Sequence, residues 1–529
     1  MLYEYLLLFF CTIPLTMLAS PGLALLFEKA GVDKNKAFIP VVNQITFLKI
    51  TGKNPLNVIL EFVPVINIIS FALDLIDFVH CYGKRTFLQQ MATVFGFPIY
   101  FLQLGKDKDV KYLGTLKEVE ATLPPTKWYS SLIFAIVAAT LVRWAFIEAY
   151  KIPTSSMEGS MLVNDFLFVS KIHYGPRTPQ TPLQVPLTHQ QVPFLNIKSY
   201  SDLITLPSYR LPGLTEIKRG KPMVFNYPSD NVSKITDMKT FYVKRCVGIA
   251  GDTISFVDGQ LYVNGDKIED NDKIQYKYKF QVNSNIIRDE IITRDGNNNE
   301  IRVFRLLSDV LDQWKIVNNE DINPVAENGQ YKQGWFIAAL NKENAEIVKN
   351  SPLIVKGTFQ RIVNPKNTPQ LSEFRGYFPE KHEEMYHDVF PYFEPGIIAN
   401  QQRLFTWNID NFGPLWLPAK GKAIELTPEN VLKYANTIAK FEGYKDGAVT
   451  VNNLKLYIDG KEQKNYTFKN NYYWLCGDNR HNSLDSRYWG FVPEDHIVGK
   501  PFLTFFSYNK YATSPLNKIR WDRIFRFVE

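Results

Sequence analysis

Residues 128–147 are almost wholly apolar, and the run matches the roughly 20 residues that a helix needs to cross a bilayer core. Trp128 and Tyr129 at one end, and Arg143 and Trp144 at the other, are residue types that anchor a span at its interfaces. Three earlier stretches read as spans too: 2–27, 55–80 and 86–104. The first lacks a basic start and is too long for a cleavable leader, while Glu61, Asp74 and Asp77 make the second a poorer span. Residues 37–50 are too short to cross and are expected at the interface or as a re-entrant piece.

Beyond residue 147 the period changes from helical to twofold. Residues 165–169 and 241–252 alternate as strands, the second running into a Gly251-Asp252 turn, and 253–257 and 260–263 flank Asp258-Gly259 as a hairpin that Asn264-Gly265 closes. Residues 176–213 carry seven prolines, which predicts an extended surface loop that either covers the core or lies against a membrane. Residues 266–400 are polar, with helical-looking stretches at 306–315 and 343–349 and turns at Asp295-Gly296 and Asn328-Gly329. A helix at 428–441 and a hairpin around Asp459-Gly460 come next. The pattern predicts a mainly β domain with N-terminal transmembrane helices and an α+β insertion. The expected divisions are a multi-span module at 1–110, a cytoplasmic linker at 111–127, an anchor at 128–147, a β domain in two parts (148–265 and 405–529) and an inserted accessory domain at 266–404. A smaller insertion at about 419–470 interrupts the second part.

Lysine placement orients the spans. Lys29, Lys34, Lys36, Lys49 and Lys53 come after the first, and Lys106, Lys108, Lys111, Lys117 and Lys127 precede the last. Placing both groups in the cytoplasm sends the N-terminus and everything after 147 outside. The net charge of +7 is spread without a basic block, so nucleic acid is not an expected partner. Cys11, Cys81, Cys246 and Cys476 show no metal spacing; whether Cys246 and Cys476 meet stays open.

Ser156 is the ninth residue after Ile147, a reach of at most about 30 Å, so a serine is delivered close to the membrane surface. A serine hydroxyl needs a base to become a nucleophile. None of the seven histidines presents itself, and His382 and His387 around Glu383 are spaced one residue too widely for a zinc helix. Lys244 shares a strand face with Tyr242 and Cys246, where burial among apolar groups would let its amine sit neutral. The competing reading is an edge-strand lysine whose amine reaches water.

Four boxes stand in order: 152–162 (Ile-Pro-Thr-Ser-Ser-Met-Glu-Gly-Ser-Met-Leu), 219–228 (Arg-Gly-Lys-Pro-Met-Val-Phe-Asn-Tyr-Pro), 241–252 (Phe-Tyr-Val-Lys-Arg-Cys-Val-Gly-Ile-Ala-Gly-Asp) and 477–493, opening Gly-Asp-Asn-Arg-His-Asn-Ser-Leu-Asp-Ser-Arg. Together they resemble the signature boxes of type I signal peptidases, over roughly residues 128–265 and 405–508. The resemblance implies a signal-peptidase-like antiparallel β fold and a Ser156–Lys244 dyad. It further implies an oxyanion site from the Ser156 N–H and the Thr154 hydroxyl, and Ser483 orienting the lysine amine. Asp485 and Arg487, with Arg245, would support the site, and Ile152, Pro153, Met161, Tyr242 and Val243 would line pockets for small substrate residues. No metal or cofactor is implied. The implied partners are signal peptides of exported preproteins, the lipid bilayer and the secretion machinery, with the enzyme in the cytoplasmic (inner) membrane and its catalytic domain outside.

Two departures from the family pattern stand out: Gly159-Ser160 replaces Pro-Thr, and His481 replaces Asp. Residues 1–110 resemble a small uncharacterised membrane module through Phe38–Asn43 and Val63–Asn67, which implies no function. The alternatives are a catalytically silent membrane scaffold and a specialised Ser-Lys processing peptidase.

Overall fold

The computed structural model describes residues 12–62, 66–123, 136, 139–193, 195, 197–230, 233–294, 300–316, 322–327, 330–367, 376–378, 383–385, 389–391, 405–509 and 518–528. The chain divides into two compact units, Met1–Arg143 and Trp144–Glu529.

The first unit is helical, with α-helices Thr12–Leu18, Ser20–Lys29, Val42–Thr51, Ile66–His80, Phe87–Lys106 and Leu116–Thr122. Leu26, Phe27, Phe78, Val79 and Phe101 form its core, with Phe47 stacked on Phe78 at 4.1 Å. Gly22 lets two helices approach closely, because a Cβ there would stand 2.5 Å from the Leu102 nitrogen. Asp74 and Asp77, the charges that disturb the 55–80 stretch, both pair with Lys53, at 2.6 Å for Asp74. Among the described residues no helix is long and apolar enough to cross a membrane. The expected N-terminal spans are therefore not found as single helices. Within 2–27 the described part breaks into helices of 7 and 10 residues, and Phe87–Lys106 is interrupted at Gly96 (φ −131°) two residues before Pro98, which has no N–H to donate. Residues 1–11, 124–135 and 137–138 lie outside the described residues, and with them half of the 128–147 run.

The second unit is mainly β. Strands β1 (Ile147–Lys151), β2 (Asp165–Ser170), β3 (Pro222–Asn226) and β4 (Phe241–Gly248) belong to an antiparallel sheet of eight. Its order is β1, β2, Ile497–Ser507, β3, β4, Tyr472–Cys476, Val492–Pro493, with Arg526–Phe527 paired to the long strand. Register shifts at Phe166/Leu167 and Phe168/Val169 bend β2 against that strand, which curls the sheet. A second sheet joins Phe412–Trp416, Thr253–Val257, Gln260–Val263 and Asp266–Lys267. The expected hairpin turn is there: Asp258 and Gly259 have φ of 49° and 80°, the two positive values a type I′ turn needs.

The accessory region has its own core. Strands Ile322–Glu327, Gln330–Leu340, Tyr276–Gln281 and Gln360–Arg361 form a sheet against helices Ser308–Gln313 and Lys342–Lys349, around Phe280, Trp314, Phe336 and Val348. Asp295-Gly296 and Asn328-Gly329 lie outside the described residues, as do His382 and His387; Glu383 begins the short strand Glu383–Met385. The stretch expected as a smaller insertion, about 419–470, packs differently. Its helix Pro428–Phe441 presents Val431, Tyr434, Ala435 and Ile438 on one face, and these join the central cluster of Ile254, Leu415, Leu417, Trp474 and Phe491.

Cys246 packs with Leu475 in one cluster and Cys476 in another, on opposite faces of the sheet, and both thiols are free. Residues 176–213 form the expected loop, doubled back by backbone bonds from Thr178 N to Tyr209 O, Ser201 N to Leu183 O and Val185 N to Ser199 O. Arg210 roots it on the carbonyls of Glu494 and Ile497 at 2.7 and 2.6 Å.

Phe390, from the far end of the accessory region, returns to the central cluster, 5.5 Å from the ring of Trp474 and 5.4 Å from that of Phe491. Phe390→Ala is expected to destabilise the chain by about 3–5 kcal/mol, the cost of a large ring removed from a packed core. Denaturant unfolding checks this, and an unchanged midpoint would mean that Phe390 is not docked there.

Candidate active site

Ser156 lies in a single 3₁₀ turn, Ser155–Met157, between β1 and β2. Thr154 precedes the turn in extended conformation, with its side chain exposed and its Oγ1 3.4 Å from Ser156 Oγ. Lys244 stands in the middle of β4, paired in register with Met223 of β3, and its Nζ lies 2.5 Å from Ser156 Oγ. The lysine is 4% exposed, which removes the surface alternative for this side chain. Burial pulls its pKa down to about 8, against the opposing pull of Asp485 and Asp478. Tyr242 shares its face of β4, with the ring centroid 5.7 Å from Nζ, and stacks on Tyr227 at 4.7 Å.

Two buried acid–arginine pairs frame this contact. Arg245 grips Asp478 through Nε and Nη2, each at 2.7 Å, and its Nη2 also donates to Ser160 Oγ at 2.8 Å. Arg487 grips Asp485 at 2.9 and 2.7 Å and reaches the Arg480 carbonyl at 2.6 Å. Burial alone would raise the Asp485 pKa, but Arg487 and the Gly477 N–H hold the carboxyl below its ordinary value. Sequence reasoning passed over Asp478, although it sits inside the last box; its signal is an acid two residues after a buried strand that pairs with the strand of Arg245.

The 477–483 loop supports the serine turn directly. Asn479 N donates to the Ser156 carbonyl at 3.1 Å, and Asn482 Nδ2 to Ser155 Oγ at 2.9 Å. Neither asparagine was singled out from the sequence. A Cβ on Gly477 would stand 2.2 Å from Ser483 Oγ and 2.5 Å from the Ser156 carbonyl oxygen, so only glycine fits between them. Ser483 is thus beside the turn, but the hydrogen bond expected from it to the lysine amine is not formed; the Asp485 carboxylate is its polar neighbour.

The departures from the family pattern have physical reasons. Gly159 has φ of +97°, closed to proline, and a Cβ there would come within 2.4 Å of the Lys273 carbonyl oxygen. Ser160 keeps a hydroxyl, which donates to Asp478 Oδ2 at 2.5 Å. Both ring nitrogens of His481 are engaged by other groups: Nε2 lies 2.9 Å from Asp410 Oδ1, and Nδ1 accepts from the Lys277 N–H at 3.3 Å. The expected pocket residues are divided. Ile152, Met161 and Val243 pack together with Met157 and Leu167, Pro153 stays exposed, and Tyr242 lies on the opposite face of β4 from Val243, among aromatic rings.

The sequence profile of the family described as signal peptidase, peptidase S26, matches residues 125–317 and 433–506, together about half of the chain. A family of unknown function matches residues 35–115. Proteins named signal peptidase I from Rickettsia massiliae and Rickettsia felis are each 32% identical over 142 residues, which is 27% of this chain and 44% of each relative. The counterpart from Rickettsia akari is 32% identical over 144 residues. The chain thus spans less than half the length of the relatives it matches. With its four boxes drawn together around one buried serine–lysine contact, and the family profile covering half its length, the chain belongs to the signal peptidase family, peptidase S26.

Proposed function

We propose that this chain is a membrane-bound serine endopeptidase that removes N-terminal signal peptides from exported preproteins, with Ser156 as nucleophile and Lys244 as general base. The observation that carries the reading is the 2.5 Å approach of Lys244 Nζ to Ser156 Oγ, where burial draws the amine to about 8. When Lys244 is charged it donates to Ser156 Oγ. When it is neutral the bond reverses, and the hydroxyl proton moves to nitrogen as the oxygen attacks the substrate carbonyl. The lysine then returns that proton to the leaving amine and draws one from the water that opens the acyl-enzyme. Thr154, exposed beside the nucleophile, would direct its hydroxyl to the developing oxyanion together with the Ser156 N–H. Ile152, Pro153, Met161 and Val243 would shape the pockets for small side chains, while Tyr242 would pack beside the lysine rather than against substrate.

Membrane placement rests on the apolar run 128–147 and on the contacts made at its C-terminal end. Trp144 Nε1 donates to the Arg177 carbonyl at 2.7 Å, and Lys171 N to the Phe146 carbonyl at 2.8 Å, which ties the root of the 176–213 loop to the end of the apolar run. That loop and the residue after it expose Leu195, Leu203, Tyr209 and Leu214, while pairing much of their own backbone. Such a surface suits a bilayer interface in the cytoplasmic membrane, with the catalytic unit outside. External protease on intact spheroplasts should digest the chain beyond Tyr150 and spare 106–127, and cleavage within 106–127 would overturn this orientation.

Ser156→Ala and Lys244→Ala should each abolish cleavage of a preprotein reporter, because nucleophile and base act as a unit. In the wild type only the neutral amine is active, so kcat/KM should rise about tenfold per pH unit from below and level off above about 8. Near-normal turnover in Lys244→Ala would sink the dyad.

Thr154→Val keeps the shape and deletes the donor. Its kcat should fall about 10²–10³-fold, equivalent to about 2.7–4 kcal/mol, with KM little changed. Single-turnover kinetics provide the check, and equal rates would remove Thr154 from the oxyanion site.

A further inference from the structure

The accessory region does not merely hang from the β domain. Its first segment runs beside the loop that holds the serine turn: Gln275 N donates to the Asp478 carbonyl at 2.8 Å, and Arg480 N to the Gln275 carbonyl at 2.9 Å. Lys273 seats its carbonyl against Gly159, three residues after Ser156. His481 closes this arrangement. Because Nδ1 accepts from the Lys277 N–H, Nε2 carries the proton and donates to Asp410 Oδ1, whose second oxygen accepts from Asn364 N and Nδ2, both at 2.8 Å. One imidazole thereby joins the accessory strand Tyr276–Gln281, the 477–483 loop and the 408–411 segment.

We propose that His481 is a positioning residue, a latch that aligns the Ser156 turn by fastening the accessory segment 273–277 to the loop whose Asn479 holds the Ser156 carbonyl. The proposal rests on the dyad reading above. The latch works only with a neutral imidazole, since a proton on Nδ1 would face the Lys277 N–H and remove the acceptor. The groups facing the ring are Asp410 on the 408–411 segment, Lys277 and Tyr276 on the accessory strand, and Arg487 on the helix Ser486–Trp489. Burial holds the histidine below its ordinary value, with Arg487 and Lys277 acting in the same direction and Asp410 opposing them.

The test uses the full chain in detergent and an internally quenched peptide with alanine at the first and third positions before the cut. His481→Leu should lower kcat at least tenfold with KM within twofold. It should also speed amide exchange at Asn479, whose N–H donates to Ser156. His481→Gln offers both an amide donor to Asp410 and an acceptor to Lys277, and should restore most of kcat. At low pH the wild-type acid limb should steepen from one decade per unit to two, whereas the limb of His481→Gln should stay at one. Asp410→Asn provides a second route to the same latch if His481→Leu fails to fold, and should also lower kcat. Wild-type kcat in His481→Leu or Asp410→Asn, no rescue by glutamine, or identical acid limbs would overturn the latch. Ser156→Ala measured alongside separates the two readings. Activity there would sink the dyad itself, whereas an inactive Ser156→Ala with a fully active His481→Leu would sink the latch alone.

Discussion

Keeping an amine out of water beside a serine is the constraint on which the second unit depends. Lys244 is buried in the middle of a sheet, and two carboxylates, Asp478 and Asp485, stand near enough to favour its charged form. Left unpaired, either would tend to turn the lysine into one half of an ion pair. Each is instead gripped by its own arginine, Arg245 or Arg487, and desolvation of the amine outweighs their pull on it. The arginines are therefore more than braces for a loop, because they leave the lysine free of a permanent counter-ion.

The region expected as an insertion lies against the serine turn and the loop that supports it. The accessory region has a core of its own around Phe280, Trp314 and Phe336, yet its two ends return to the β domain. At one end Lys273 and Gln275 lie against the serine turn and its supporting loop; at the other Phe390 enters the central cluster. The choice of Gly159 reflects this packing. A residue with a side chain would collide with the Lys273 carbonyl, so the family's proline cannot stand there.

The N-terminal unit illustrates a different limit. Apolar content over 2–27, 55–80 and 86–104 satisfies a compositional criterion for a span, whereas the helices described there are short or interrupted. Gly96 leaves helical geometry two residues before Pro98, and the 2–27 stretch divides before Ser20. The charges at Asp74 and Asp77 are met by Lys53, a contact between segments more than twenty residues apart that no local window registers.

Local sequence was enough for the features that are local in origin. The twofold period of 165–169 reflects a strand whose alternate residues, Asp165, Leu167 and Val169, are buried; Asp258-Gly259 reads as a hairpin because few residue pairs adopt two positive φ values; and the order of the four boxes pointed to the serine and the lysine before either had a partner. Tertiary structure decided the rest. Which carboxylate Arg245 holds, that Ser483 lies beside Gly477 without reaching the amine, that His481 faces Asp410, and that Cys246 and Cys476 lie on opposite faces all depend on strands and loops far apart in the chain. Spacing along a sequence constrains side chains within one strand or turn, whereas the distance between two such elements is set only when the sheet closes and its core packs.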